Sequence, residues 1–380
     1  PTNVMRVAGW AVVTLGAVFL LNWVIRSLAS NPPAATEMVP SPEPSFESDI
    51  RQGKICAGSL ALAYDFSVFL TNPDKTGFTE LYEEKQIDEL RTFAWSPDGS
   101  RLAIIANHQS RGDIYIHDVD RQLEYVLPSP DLGYLMDLAW THDGKRLLLR
   151  SVKSRSMIYL VNADGTGSVE EKPLNANFFE TPQFAPDDKS ILFHGDYDAS
   201  DDFVFFAGLI QLTLSDLQPR MIGLAPPLQA ENSFAWSPNG SHLAYFEVLD
   251  TMVRLVVERA DGTHQVTIAS LPIEETSGTS GSINLSWTPD GKGLVLQLAD
   301  ETLNPSIYLA HTDGTGLIKV ADSASAPTVS ADGRCLAYIS NDQVFLMDLT
   351  NIGSASPVWM ADLPPGQQNT NRADKLQWQP

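Results

Sequence analysis

Hydrophobic and polar positions follow one another along this chain in a phrase that recurs. An apolar residue, a small residue and Trp are followed by Ser or Thr, Pro, Asp or Asn, and Gly. The phrase stands as Phe93-Ala94-Trp95-Ser96-Pro97-Asp98-Gly99 and as Leu138-Ala139-Trp140-Thr141-His142-Asp143-Gly144. It returns as Phe234-Ala235-Trp236-Ser237-Pro238-Asn239-Gly240 and as Leu285-Ser286-Trp287-Thr288-Pro289-Asp290-Gly291. Weaker copies lie at Gln183-Phe184-Ala185-Pro186-Asp187-Asp188 and Thr328-Val329-Ser330-Ala331-Asp332-Gly333, and a truncated one at Leu376-Gln377-Trp378-Gln379-Pro380. After each turn comes a second apolar run, such as Leu102-Ala103-Ile104-Ile105 or Leu243-Ala244-Tyr245-Phe246. Short apolar runs on either side of a Pro-Asp-Gly turn predict paired strands: proline presets φ, Asp caps the turn, and Gly accepts φ > 0.

Taking Trp95, Trp140, Phe184, Trp236, Trp287, Val329 and Trp378 as marks, the units are 45, 44, 52, 51, 42 and 49 residues apart. A period in the forties with about four strands per unit predicts an all-β propeller, its aromatic marks packed between adjacent sheets. The first unit starts at strand two, Leu60-Ala61-Leu62-Ala63-Tyr64, with further strands at 66–71 and 78–82. Residues 376–380 supply an orphan strand one. Pairing the two closes a ring of seven blades and removes two exposed sheet edges; six blades are the alternative, should the copy at Thr328 or the composite blade be misread. Further turn signals, Asp164-Gly165-Thr166-Gly167, Asp261-Gly262-Thr263 and Asp313-Gly314-Thr315-Gly316, join strands three and four. Each supplies too few carboxylates for a calcium cage, so they read as hairpin turns.

Ahead of the ring the pattern changes. Residues 7–25 (VAGWAVVTLGAVFLLNWVI) carry no charge, and Arg6 and Arg26 bracket them. As a helix at 1.5 Å per residue they reach about 28 Å, enough to span a hydrocarbon core. A cleaved signal peptide is the competing reading, although the apolar run is long for one. We expect a flank over 1–6, a transmembrane anchor over 7–29, a Pro-rich acidic tether over 30–56 and the propeller over 57–380. The flanking positive charges favour a cytoplasmic amino end and a periplasmic or extracellular propeller.

Composition narrows the function. The chain has 380 residues, 43% hydrophobic and 19% charged, enough for a large core. Its net charge of −22 argues against nucleic acid as a partner. With only Cys56 and Cys335 there is no disulfide framework. Ring closure makes their blades neighbours, so one disulfide is open to them, but two reduced, half-buried thiols are the expectation.

The repeated phrase, with the later Asp-Gly-Thr-Gly turns, resembles the TolB-like propeller repeats, relatives of the WD-repeat group. The resemblance covers about residues 57–380 and implies the fold. TolB-like periplasmic proteins carry a small α/β domain before the propeller, whereas residues 1–56 here read as anchor and tether, which leaves a TolB-like role open.

Function is expected on the longer, unlike connections after strands two and four, over 128–137, 172–181, 223–232, 271–283 and 362–375. Tyr134, Phe178 and Phe179 are the candidate contact residues there. Asp196, Asp198, Asp201 and Asp202, in the segment 194–202, are weak metal candidates; their spacing fits no EF-hand and a solvated loop is expected. No catalytic residues, cofactor or resident metal are nominated: there is no Gly-x-Ser-x-Gly, phosphate loop, His-Glu-x-x-His or Cys-x-x-Cys, and the seven His are scattered. The leading expectation is a non-catalytic, membrane-anchored interaction or scaffold subunit. Its partners would be other membrane or envelope proteins, and the bilayer through residues 7–29. A peptide- or glycan-binding sensor, and a metal-dependent hydrolase or lyase acting in the channel, are the alternatives.

Overall fold

The computed structural model describes residues 46–52, 54–64, 67–74, 79–83, 89–108, 111–127, 132–152, 156–174, 176–178, 181–198, 205–224, 230–249, 252–272, 283–299, 304–351, 357–362 and 375–380. The expected anchor and most of the expected tether lie outside these residues.

Seven sheets, antiparallel but for one added strand in the sixth, follow one another along the chain, so the chain forms seven blades. Blade I is composite: Lys375–Trp378 pairs with Leu60–Tyr64, followed outward by Ser67–Thr71 and Thr79–Glu83. Blade II runs Glu89–Trp95, Arg101–His108, Arg111–Asp118, Leu123–Val126. Blade III runs Tyr134–Trp140, Arg146–Val152, Ser156–Asn162, Glu170–Pro173. In blade IV the first strand is split into Ala176–Phe178 and Gln183–Phe184, both paired with Ser190–Asp198, before Phe205–Thr213 and Pro219–Leu224. Blade V comprises Phe234–Trp236, His242–Leu249, Met252–Arg259 and Val266–Pro272. Blade VI comprises Ile283–Trp287, Gly293–Ala299, Pro305–His311 and Leu317–Asp322, and Ala230–Asn232 adds a parallel fifth strand on its inner edge. Blade VII comprises Ser325–Val329, Cys335–Ser340, Gln343–Asp348 and Val358–Asp362. The expected closure is found: Leu60 opposes Trp378 and Leu62 opposes Leu376.

The aromatic marks pack between sheets, with Trp95, Trp140, Trp287 and Trp378 all at least nine-tenths buried. Burial of an indole leaves its N–H to be satisfied. Trp140 donates to the Ala94 carbonyl (3.0 Å), Trp287 to Ala235 (2.9 Å) and Trp95 to Gln377 (3.4 Å), in each case on the preceding blade's first strand. Trp378 donates instead to Ala57 on the entering chain (2.8 Å). Each of these four indoles is thus both wedge and tie.

The turns repeat one hydrogen-bond pattern. Ser96 Oγ donates to Asp98, the Ser100 N–H donates to the same carboxylate, and the Arg101 N–H donates back to Ser96 Oγ. Thr141, Asp143, Lys145 and Arg146 repeat it, as do Thr288, Asp290, Lys292 and Gly293. These bonds favour the charged carboxylate. Ser96 and the Ser100 N–H hold the Asp98 carboxyl down to about 2. The Lys145 N–H and Thr141 lower Asp143, and Thr288 and the Lys292 N–H lower Asp290. The Asp-Gly-Thr signals are the expected hairpin turns: Asp164, Asp261 and Asp313 each accept from the N–H and hydroxyl of the Thr two residues on.

One junction departs from the phrase on both sides. At three other junctions the turn proline lies over the next blade's turn glycine: a Cβ on Gly144 would stand 3.7 Å from Pro97, one on Gly333 3.8 Å from Pro289, and one on Gly240 only 2.5 Å from Pro186. Blade III has His142 in place of the proline, and blade IV has Asp188 in place of the glycine at φ 53°. The His142 N–H, which a proline lacks, donates to Asp188 (2.9 Å), and the imidazole Nδ1 meets the same carboxylate at 2.7 Å. The left-handed strain at Asp188 is offset by bonds that only a non-proline partner provides.

Two findings concern the entry of the chain. Phe46–Arg51 forms a short helix with Phe46 and Ile50 on one face and an Arg51–Glu47 ion pair (2.6 Å) on another. Six residues do not hold a helix alone. Ile50, Ile55 and Cys56 are buried with Leu60, Leu376 and Trp378 of blade I and Ala337 and Leu346 of blade VII. The expectation of two reduced, half-buried thiols is corrected: Cys56 and Cys335 are disulfide-bonded, Cα atoms 5.5 Å apart, and both are essentially fully buried. The helix and core packing bring Cys56 onto blade VII, where the Cys56 N–H also donates to Asp332 (3.0 Å). The link spans 279 residues, and such a cross-link typically stabilises by about 2–4 kcal/mol.

Two predictions follow from the turns. An unfolded Asp titrates near 3.9, whereas Asp98 stays ionised down to about 2. Between these values the unfolded chain binds more protons, so stability present above about pH 4 drains away as pH falls through that window. Thermal melting should show a fall in midpoint from about pH 4 to 2 that is shallower in Asp98→Asn, since blade V already uses Asn239 in the same bonds. A double-mutant cycle of His142→Pro and Asp188→Gly should give a coupling of about 1 kcal/mol in urea unfolding, with the double variant restoring the common junction. Additive effects would remove the compensation.

Candidate functional site

First strands of adjacent blades touch and line the axis of the ring. They run toward the Pro-Asp-Gly turns, so their starting residues stand at the opposite face, with the connections of unequal length. Three residues before each mark come Lys375, Thr92, Asp137, Thr181, Ser233, Asn284 and Ala326, polar in every blade but VII.

The side chains of Lys375, Thr92, Asp137, Thr181 and Ser233 are spent on ties between and within blades. Lys375 Nζ donates to Thr92 Oγ1 (2.8 Å) and to the Phe93 carbonyl (2.6 Å) of blade II. Asp137 forms a buried ion pair with Arg150, its cross-strand partner, and accepts from Thr181 Oγ1 of blade IV (2.9 Å). Ser233 of blade V meets His194 Nδ1 of blade IV, and both are buried. On neighbouring rows Gln297 accepts from the Ala326 N–H (2.7 Å), and Asn107 brackets Leu135, donating to its carbonyl (2.8 Å) and accepting from its N–H (3.1 Å). Buried polar groups must be satisfied, and here the partner is usually the next blade. The Ser233–His194 contact has the atoms of a nucleophile and its base, but Ser233 is fully buried and His194 is 4% exposed. It positions two blades against each other.

At the mouth, bulges redirect the chain. The ladder of blade II slips between Leu90 and Thr92, and that of blade III between Leu135 and Asp137. A bulge re-aims the extra side chain. Arg91 is thereby exposed and leans across, its Nε donating to the Met136 carbonyl (3.1 Å) at the second bulge.

Of the expected contact residues, Tyr134 opens the first strand of blade III, half-buried and directly opposite Val152, which is 42% exposed. Phe178 ends the short strand paired with Gly195; its side chain and all of Phe179 lie outside the described residues. The segment 194–198 is strand where a loop was expected. Asp196 is half-buried in it, opposite Asn177 and Ala207, and Asp198 opposes Phe205 with its side chain outside the described set. Asp201 and Asp202 lie outside the described residues. Among the described residues no three His, Cys, Asp or Glu side chains gather as metal ligands. A cleft between blades II and III, lined by Ile114, Leu127, Val161 and Gly165, has a volume of about 20 Å³, room for about one water. No described helix is long and apolar enough to cross a membrane, and residues 7–29 are outside that set.

The polar row three before the marks escaped sequence reading, although aligning the copies on Trp exposes it. What the row does is set by blade neighbours 40 to 50 residues apart, as Thr181 is from Asp137 with 44 residues between.

The chain is a seven-bladed β-propeller. No family model matches it. Solved propellers share the fold: an oligogalacturonate lyase from Vibrio parahaemolyticus is 13% identical with a TM-score of 0.55, over 77% of this chain and 91% of that one. The β-propeller domain of Cps50 (Swd1) from Myceliophthora thermophila is 16% identical with a TM-score of 0.53, over 78% of this chain and 92% of that one. TolB from Acinetobacter baumannii is 15% identical with a TM-score of 0.49, over 70% of this chain and 63% of TolB, so the chain spans less than two thirds of TolB's length. At these identities the likeness is one of fold.

Replacing one member of the buried pair tests its role. Arg150→Met strands the Asp137 carboxylate and should cost about 3 kcal/mol, read as a lower urea midpoint. The matched Asp137→Leu/Arg150→Met variant should recover most of that. If Arg150→Met alone is neutral, the pair does not lock blade III.

Proposed function

We propose that this propeller is a non-catalytic interaction platform, an accessory or scaffold subunit held at a membrane or cell envelope. The observation that carries the reading is the destination of its polar side chains. Lys375, Asp137, Arg150, Thr181, His194, Ser233 and Gln297 are bound to other parts of the ring, where an enzyme aims such groups at a substrate. The ring is a rigid support, and its unlike connections are the surface left for recognition.

Residues 7–29 serve as anchor in this reading, with the propeller outside the cytoplasm. The buried Cys56–Cys335 disulfide supports an oxidising compartment. Where the described chain enters, Cys56 bonds Asp332 in a first-to-second-strand turn and Ser59 bonds Asn72 at a third-to-fourth connection. Entry is therefore at the turn face, clear of the unequal connections. The resemblance of the repeats to the TolB-like group agrees with an envelope setting.

Purification of the full tagged chain from membranes in mild detergent, with mass spectrometry of what travels with it, tests the reading. Stoichiometric membrane or envelope partners are expected. A monodisperse protein without companions, or turnover of a glycan or peptide substrate that requires added metal, would overturn it.

A further inference from the structure

We propose that the helix Phe46–Arg51 and the Cys56–Cys335 disulfide form a two-part latch at the seam of blades I and VII. The helix shields the bond from thiols, and the bond holds the entering chain where other junctions use a direct indole tie. Reductive opening of the seam therefore waits for the helix to undock. The proposal is independent of what the ring binds.

This seam is built unlike its neighbours. Trp95, Trp140 and Trp287 each donate directly to a carbonyl on the preceding blade. Trp378 donates to the Ala57 carbonyl (2.8 Å), so its tie ends on the entering chain. Two residues in left-handed conformations, Cys56 (φ 59°) and Gly58 (φ 95°), bend that chain around the indole. A Cβ on Gly58 would stand 3.2 Å from Trp378 Nε1, tighter than ordinary contact. One residue before Ala57 the connection to blade VII is made, through the disulfide and through the Cys56 N–H on Asp332 (3.0 Å). Cys335 is well fixed: its strand lies between Ser325–Val329 and Gln343–Asp348, and its N–H donates to Ser330 Oγ (2.9 Å). The covalent bond is thus in series with the indole tie. The Trp378 N–H, donating to Thr328 Oγ1 of blade VII (3.0 Å), acts in parallel with it.

Access decides when the bond can be broken. A thiolate must reach one sulfur of a disulfide to displace the other. Cys56 is 1% exposed and Cys335 0%, and the helix contributes Ile50 and Phe46 to the cluster that encloses both. Six residues do not persist as a helix in water, so these two side chains hold the cover in place. The Arg51–Glu47 ion pair on its outer side is exposed and adds little. An element with so few buried contacts opens locally, ahead of the ring.

The chemistry then follows in two displacements. One thiolate of a dithiol attacks a sulfur of the pair, and the other cysteine leaves as a thiolate and takes a proton. The second thiol of the reagent displaces the mixed disulfide. Two electrons pass from the dithiol, which becomes a disulfide, to the protein, which gains two thiols.

The test is reduction of the folded full chain in detergent by dithiothreitol, with maleimide alkylation and mass spectrometry counting free thiols over time. Ile50→Asp, which charges the buried helix position, should speed reduction about tenfold or more, whereas Arg51→Ala on the exposed side should leave the rate unchanged. If Ile50→Asp does not fold, Phe46→Ser takes its place, with the melting midpoint of the oxidised form as the control. Hydrogen exchange reads the second part of the latch: Cys56→Ser/Cys335→Ser should raise exchange in Leu60–Tyr64 and Lys375–Trp378 and leave blade III as it was. Equal reduction rates in wild type and the helix variant would overturn the shield, as would a wild type reduced as fast in buffer as in unfolding urea. Unchanged exchange in blade I of the cysteine variant would overturn the hold on the seam.

Discussion

Closure is the constraint that organises this molecule. Seven wedges arranged in a circle leave no free edge around the axis only if the last blade meets the first, and this chain meets the condition by building one blade from both ends of the ring. The pairing of Lys375–Trp378 with Leu60–Tyr64 is stabilised by ladder bonds, by the Trp378 indole on Ala57 and by Gln379, which accepts from the Ser59 N–H and donates to the Gly99 carbonyl. The disulfide acts beside it at the same junction. Each hydrogen bond adds only about 1 kcal/mol net, yet a ring holds all its junctions or strains them together. Opening one would expose a sheet edge and unload the indole ties that run from blade to blade.

The architecture was legible because each unit needs the same solution to the same problem. An aromatic wedge, a turn with a left-handed glycine and a strand of buried aliphatics have sequence signatures, and repetition multiplies a weak signal. Features decided by a single junction were much less visible. Nothing local distinguishes a disulfide from two buried thiols at Cys56 and Cys335; the answer depends on a six-residue helix that packs Ile50 into the seam of blades I and VII. The bulges at Arg91 and Met136 were invisible for a related reason, since an extra residue in a strand changes spacing by one and composition not at all. His142 and Asp188 were in plain view as departures from the phrase, and their meaning required knowing that the proline position of one blade faces the glycine position of the next.

The same logic explains why the candidate chemistry dissolved into structure. Polar residues at the start of the inner strands sit where a channel enzyme would keep its catalytic groups. Here Asp137 faces Arg150 and Thr181, and Ser233 faces His194, each closing a short circuit within the ring. A buried ion pair contributes little net stability, because desolvation cancels much of the attraction. It does penalise any arrangement that separates the partners, and so it fixes the first two strands of blade III against each other, while Thr181 on Asp137 ties blade IV to them. Polar side chains in this position specify geometry.

Rigidity of that kind bears on what the surface can recognise. Binding to a preformed face avoids the cost of ordering it, so modest contacts suffice, and charge then decides between partners by repulsion as much as by attraction.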